Sequence, residues 1–157
     1  HGLTPRDICE IADGKRPGDA EAAKEAFRRF GENAGAAMAI AVTLTDSLIV
    51  LGGGLTGAAH HILPALLKEL RSKINTINNE QLNRVQMKVY NLDDEKEFEQ
   101  FVKGDARPLK IYGTDKYTTY DPQKRTGVCL SRLGASRAIS IGAYTYALSR
   151  LDMPTTK

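Results

Sequence analysis

Long unbroken apolar runs, cysteine clusters and blocks of like charge are all missing from this sequence, and each absence removes a class of protein. Cysteine occurs twice, at Cys9 and Cys129, far apart and without a neighbouring ligand pattern. That argues against a disulfide framework and a cysteine-rich zinc module, and it fits a reducing, cytoplasmic setting. The most apolar stretch, 34–51, is broken by Thr43, Thr45, Asp46 and Ser47, so it does not read as a membrane span. No signal-peptide pattern opens the chain. The 22 Lys and Arg outnumber 19 acidic residues by only three and form no basic block, which predicts solubility more than a polyanion partner. No repeat or low-complexity segment appears. His1-Gly2 stands where an initiator methionine is expected, so a missing N-terminal stretch, whether a tag or a larger region, is also expected.

What remains is a globular pattern. With 157 residues, 41% hydrophobic and 26% charged, the chain fits a single domain over 1–157. A first helix is predicted over Leu3 to Ala12, with Thr4 as N-cap and Pro5 in the first turn. After Lys15-Arg16-Pro17-Gly18, Asp19 caps a long helix whose apolar positions, Ala23, Phe27, Phe30, Ala34 and Met38 among them, recur at threes and fours. Its second half is nearly all small residues, which predicts tight seating on a sheet. Leu48 to Leu51 is short and wholly aliphatic, the pattern of a strand covered on both faces. Ile62, Leu63, Leu66, Leu67 and Leu70 then mark an amphipathic helix running to Lys73, with Pro64 in its first turns.

Asn75 to Asn83 reads as a polar turn, Val85 to Tyr90 as a strand, Asp93 to Lys103 as a charged helix, Leu109 to Tyr112 as a strand and Gly113 to Arg125 as a loop. In that last region Tyr112, Tyr117 and Tyr120 either anchor a long loop or contribute to a subunit contact. A helix from Ser136 to Leu151 follows, and its last residues are expected to fray. The alternation of helix and strand gives an α/β class. Two or three strands cannot complete a sheet with two covered faces, so dimerisation or a larger fold is expected to complete it.

The stretch from Leu48 to His61, LIVLGGGLTGAAHH, carries the strongest signal. A strand feeds three consecutive glycines and then a helix. Such bare backbone serves either close packing or close approach of a ligand. Gly52 to Gly57 literally satisfies GxGxxG, but the dinucleotide reading also needs an acid about 20 residues on, at the tip of the next strand. Residues 74–82 hold only Glu80, in a polar stretch, and Asp93 and Asp94 come too late. A phosphate-binding loop of the Gly-Lys-Ser/Thr kind is excluded, because no such triplet follows the glycines.

The order GDAEAAKEAFRRFGENAGAAMAIAVTLTDSLIVLGGG, an amphipathic helix, and then RLGASRAISIGAYTYAL resembles the C-terminal part of the ROK family, sugar kinases and related repressors of the actin and hexokinase superfamily. The likeness covers nearly the whole chain. It implies the C-terminal part of a ribonuclease H-like, actin-like ATPase lobe, with helices on an incomplete mixed sheet. It further implies that Gly52, Gly53 and Gly54 correspond to the adenosine motif, where main chain lies against the nucleotide. The region between Val85 and the closing segment is longer and more charged than a minimal version of that fold needs.

ROK kinases also carry a phosphate-binding Asp-x-Gly-x-Thr hairpin, a catalytic aspartate, and zinc ligands in a Gly-His element and a Cys-x-Cys-Gly-x-x-Gly-Cys cluster. None of these motifs is in this sequence. The expectation is therefore a C-terminal lobe fragment of a two-lobed protein, with no catalytic residue and no metal ligand of its own. Asp7, Asp13, Asp19 and Asp46 read as caps and surface charges. His60 and His61, being adjacent on a helix, are expected to face different ways and not to share a metal. Arg28-Arg29 reads as a solvated helix face rather than a nucleic-acid contact.

The resemblance implies that the parent protein transfers the γ-phosphoryl group of ATP, with Mg2+, to a hexose hydroxyl, in the cytoplasm of a bacterium and as a homo-oligomer. In that reading the segment Ser136 to Leu148 resembles the helix returning to the inter-lobe hinge, kept slim by Gly134, Ala135, Ala138, Gly142 and Ala143. The alternative is the sugar-sensing lobe of a ROK repressor, whose DNA-binding module would precede these residues.

Overall fold

Short polar side chains start the first helices, as the capping rules require. In the computed structural model, which describes residues 2–151, Thr4 accepts from the Asp7 amide while Asp7 accepts from the Thr4 amide at 2.8 Å. This reciprocal box opens α1 (Pro5–Ala12). Asp19 accepts from the Ala22 amide at 3.0 Å and opens α2 (Ala20–Thr45), which ends on Asp46 in the left-handed conformation. There follow β1 (Ile49–Leu51), a 3-10 turn (Gly54–Ala58), α3 (Ala59–Leu70), β2 (Lys73–Asn75), β3 (Gln81–Asn83), β4 (Lys88–Asn91) and α4 (Glu95–Lys103). The remainder is β5 (Arg107–Lys110), β6 (Tyr117–Tyr120), β7 (Arg125–Leu130) and α5 (Ala135–Leu151). The expected fraying of the last residues concerns 152–157, outside the described residues.

The main sheet has the order β1-β7-β4, all parallel, with Ile49 opposite Val128 and Tyr90 opposite Gly127. Its central strand is therefore β7, a segment that sequence patterning leaves unassigned. Val128 is fully buried, and Thr126, 1% exposed, donates its hydroxyl to the Ser47 carbonyl at 2.8 Å. Against this sheet α2 and α3 bring Ala39, Val42, Leu66 and Leu70. Burial of each large side chain there contributes roughly 1.5–3 kcal/mol. A second cluster, Ile11, Ala12, Ala23, Phe27, Ala58 and Ile62, fastens α1 to α2 and to the 3-10 turn.

Several expectations need correction. The glycines of α2 serve α3, while Ala39 faces the sheet: Gly31 and Gly35 lie against the Ile62 and Leu66 backbone, where a β-carbon would collide. Strand β1 is covered on one face only, because Ile49 and Leu51 turn toward the helices while Val50 stays 61% exposed. Residues 75–83, expected as a turn, belong to the β2-β3 hairpin, and the expected loop at 113–125 contains β6, paired antiparallel with β5. Strand β4 begins at Lys88 rather than Val85, and β5 is shifted to Arg107–Lys110. Tyr117 and Tyr120 lie on β6 and, like Tyr112, are exposed, so none anchors a loop. Helix α5 forms where expected, with Ile139, Ile141, Tyr144 and Tyr146 all exposed.

Candidate functional site

Two groups of residues lie side by side at the start of α3. The first is the glycine turn after β1. Gly53 has φ 96° and ψ −171°, a conformation that strains residues with a β-carbon, and it receives both the Thr56 amide at 3.2 Å and the Thr56 hydroxyl at 2.8 Å. The turn is thus fastened on its inner side by Thr56. On its outer side it is bare: a β-carbon on Gly53 or Gly54 would meet nothing within 4 Å, and one on Gly52 would touch only Ser131 Cβ at 3.7 Å. Close helix packing therefore does not explain the three glycines. A hollow of about 300 Å³ opens beside Gly52, walled by Phe30, Ala34, Met38, Leu55 and Leu63. Its walls are apolar, which suits a flat ring more than a charged group.

The acids that a dinucleotide fold would need are engaged elsewhere. Asp93 accepts from the Leu130 amide at 2.8 Å, binding the end of β4 to β7, and Asp94 caps α4 through the Glu97 amide at 2.9 Å. Glu80 lies in the β2-β3 hairpin turn, where its own amide is held by Thr76. The Arg28 and Arg29 guanidiniums pair with Glu25, and Arg28 also with Glu32, on the exposed face of α2. Those pairs confirm a solvated face.

The second group corrects the expectation for the histidines. His60 and His61 do not diverge: their ring centroids are 4.0 Å apart, and their Nε2 atoms lie 2.9 and 2.8 Å from the same oxygen, Asp13 Oδ1. Helical spacing separates the two β-carbons by about 100°, but each imidazole is long enough to swing back toward a shared acceptor. That acceptor comes from the end of α1, where Asp13 is the C-cap. Lys15 holds the other oxygen, Oδ2, at 2.8 Å. Lys15 foremost, then His60 and His61, keep the Asp13 carboxyl well below the usual carboxylate range. Cys9, one helical turn before Asp13, completes the group, and burial pushes its thiol up. Asp19 and Asp46, like Asp13, hold cap positions as expected, and Asp7 completes the capping box of Thr4.

Taken together, the parallel order β1-β7-β4, the helices laid on it and the open glycine turn define a lobe of the actin-like ATPase class, the fold of a sugar-kinase neighbour. The chain belongs to the ROK family, whose model matches residues 1–96. Among solved structures, the crystal structure of glucokinase from Parabacteroides distasonis ATCC 8503 is similar, with 48% identity and a TM-score of 0.81. The match covers 95% of this chain and 40% of that one, so the chain spans about two fifths of that glucokinase. No curated protein matches this chain. No helix among the described residues is long and apolar enough to cross a membrane.

Proposed function

We propose that this chain is the adenosine-binding side of a kinase that transfers the γ-phosphoryl group of ATP to a hexose hydroxyl. The observation carrying the reading is the glycine turn: Gly52 lines an apolar hollow, and the next two residues, Gly53 and Gly54, leave open space where β-carbons would stand. A base and ribose laid there would rest on main chain at the start of the helical turn. Gly52, Gly53 and Gly54 are the residues assigned to hold the nucleotide. When bound with Mg2+, ATP supplies the phosphoryl group, and the protein's share of such chemistry is positioning and charge stabilisation. This chain's part is positioning: the Thr56 bonds fix the turn, and α1 and α3 pack against it. The sugar and the general base are assigned to other residues of the whole protein. Membership of the family and likeness to a glucokinase support this reading over the sensing alternative.

The test is a thermal-shift titration of the chain with an ATP analogue, with NADH as the contrast. Binding to native protein alone raises the melting temperature by mass action. Gly54→Val should leave the ligand-free melting point nearly unchanged, because its side chain enters open space, and should abolish the ATP shift. An unaltered ATP shift in that variant, or a larger shift with NADH, refutes the assignment. Hexose-dependent ADP release by the whole protein tests the reaction itself.

A further inference from the structure

We infer that Cys9, Asp13, His60 and His61 form a binding site for one divalent transition-metal cation of the Zn2+ kind, joining α1 to the start of α3. The site stands apart from the glycine-turn reading and survives its failure. One sulfur, one carboxylate oxygen and two imidazole nitrogens, all within 4.8 Å of one another, converge from two separate helices. A tetrahedral ion with bonds of about 2.0–2.3 Å holds its donors roughly 3.3–3.8 Å apart. The existing separations run near that spacing: the imidazoles sit somewhat closer to Asp13 than ligands would, at 2.9 and 2.8 Å, and all donor atoms lie within 4.8 Å of one another. His60 is exposed, and Cys9, Asp13 and His61 are partly buried, so ligation would require side-chain adjustment on both α1 and α3.

Charge and chemistry agree with this assignment. A thiolate and a carboxylate contribute two negative charges, matching a dication, while neutral imidazoles fill the remaining positions. Two imidazole nitrogens of α3 already converge on one carboxylate oxygen from the end of α1. Supporting contacts hold the ligands in place. The His61 ring stacks on buried Phe27, with centroids 5.7 Å apart and planes 9° apart, and only 15% of its side chain is exposed. Lys15 occupies Oδ2, leaving Oδ1 as the ligand atom. Such outer contacts orient first ligands and set affinity. An ion here would fasten the end of α1 to the residues that follow the glycine turn.

The experiment is a Co2+ titration of the full chain followed by absorption spectroscopy, then competition with Zn2+. One equivalent should produce the visible bands of tetrahedral cobalt and a near-ultraviolet thiolate charge-transfer band, both removed by Zn2+. Cys9→Ser should lose the charge-transfer band, Cys129→Ser should keep it, and H60Q/H61Q should weaken binding at least about tenfold. Absence of a saturable signal overturns the proposal, as does a charge-transfer band that persists in Cys9→Ser. Should a variant fail to fold, wild-type protein still decides the matter: Zn2+ should protect Cys9, but not Cys129, from alkylation mapped by mass spectrometry. Equal labelling of Cys9 with and without Zn2+ overturns it too.

Discussion

Gly31 of α2 sits so close to Ile62 of α3 that a β-carbon on the glycine would lie 2.5 Å from the Ile62 carbonyl oxygen. Two opposing effects meet there. Alanine is the better helix former by about 1 kcal/mol, whereas overpacking against main chain costs typically 1–3 kcal/mol. A carbonyl cannot swing aside as a side chain does, so the collision wins. Gly31→Ala is expected to lower the urea midpoint without changing the m-value. Gly142→Ala, on α5 in open space, should leave stability unchanged or raise it by up to about 1 kcal/mol.

The glycine turn separates backbone strain from ligand contact. Gly53→Ala must adopt φ 96°, at a cost of roughly 1–3 kcal/mol, whereas Gly54→Val should cost little because nothing stands nearby. Denaturation midpoints of the two variants measure the difference. Equal stability of both would contradict the turn geometry described here.

Thr126 is the buried polar residue of the central strand, and its hydroxyl satisfies the Ser47 carbonyl just ahead of β1. Thr126→Val keeps the shape and removes the donor. Ser47 is exposed, so water can replace the lost donor, and the net loss is about 0.5–1.5 kcal/mol, lowering the melting temperature accordingly. Thr126→Ser, which restores the donor, should recover part of the loss.

Acid should weaken the exposed face of α2. Arg28 first and Arg29 next hold Glu25 down at about 2, from an ordinary value of 4.5. A carboxyl depressed in the folded state contributes stability that is complete above its unfolded value and is lost as pH falls toward its folded one. Urea midpoints of wild-type protein should therefore decline between pH 4.5 and about 2. Glu25→Gln should decline less across the same window.

The helices were largely legible because their signals are local. Thr4 and Asp19 announce the starts of α1 and α2 through cap chemistry that needs no tertiary partner, whereas the expected start of α4 at Asp93 falls two residues before its first helical residue, Glu95. Strand β7 was not legible. RTGVCL has no alternation, carries a glycine inside it, and owes its extended form to two parallel neighbours distant in the chain. The β2-β3 hairpin escaped notice for a different reason: it is polar and exposed on both sides, and it is closed by Thr76, whose amide donates to the Glu80 carbonyl at 2.9 Å. At the candidate sites, the glycines stood out by composition alone. The histidine pair was misjudged because helix spacing describes where β-carbons start, whereas the shared acceptor Asp13 arrives from a helix 47 positions earlier.

The central position of β7 also bears on how the chain emerges from the ribosome. Ile49 waits for Val128, and Val89 for Thr126, so β1 and β4 stay unjoined until residue 130 has been made. A nascent or prematurely stopped chain lacking that segment exposes both inner strand edges at once. Such a species invites pairing with other copies of itself, and truncation before residue 125 should yield aggregates rather than a smaller folded protein.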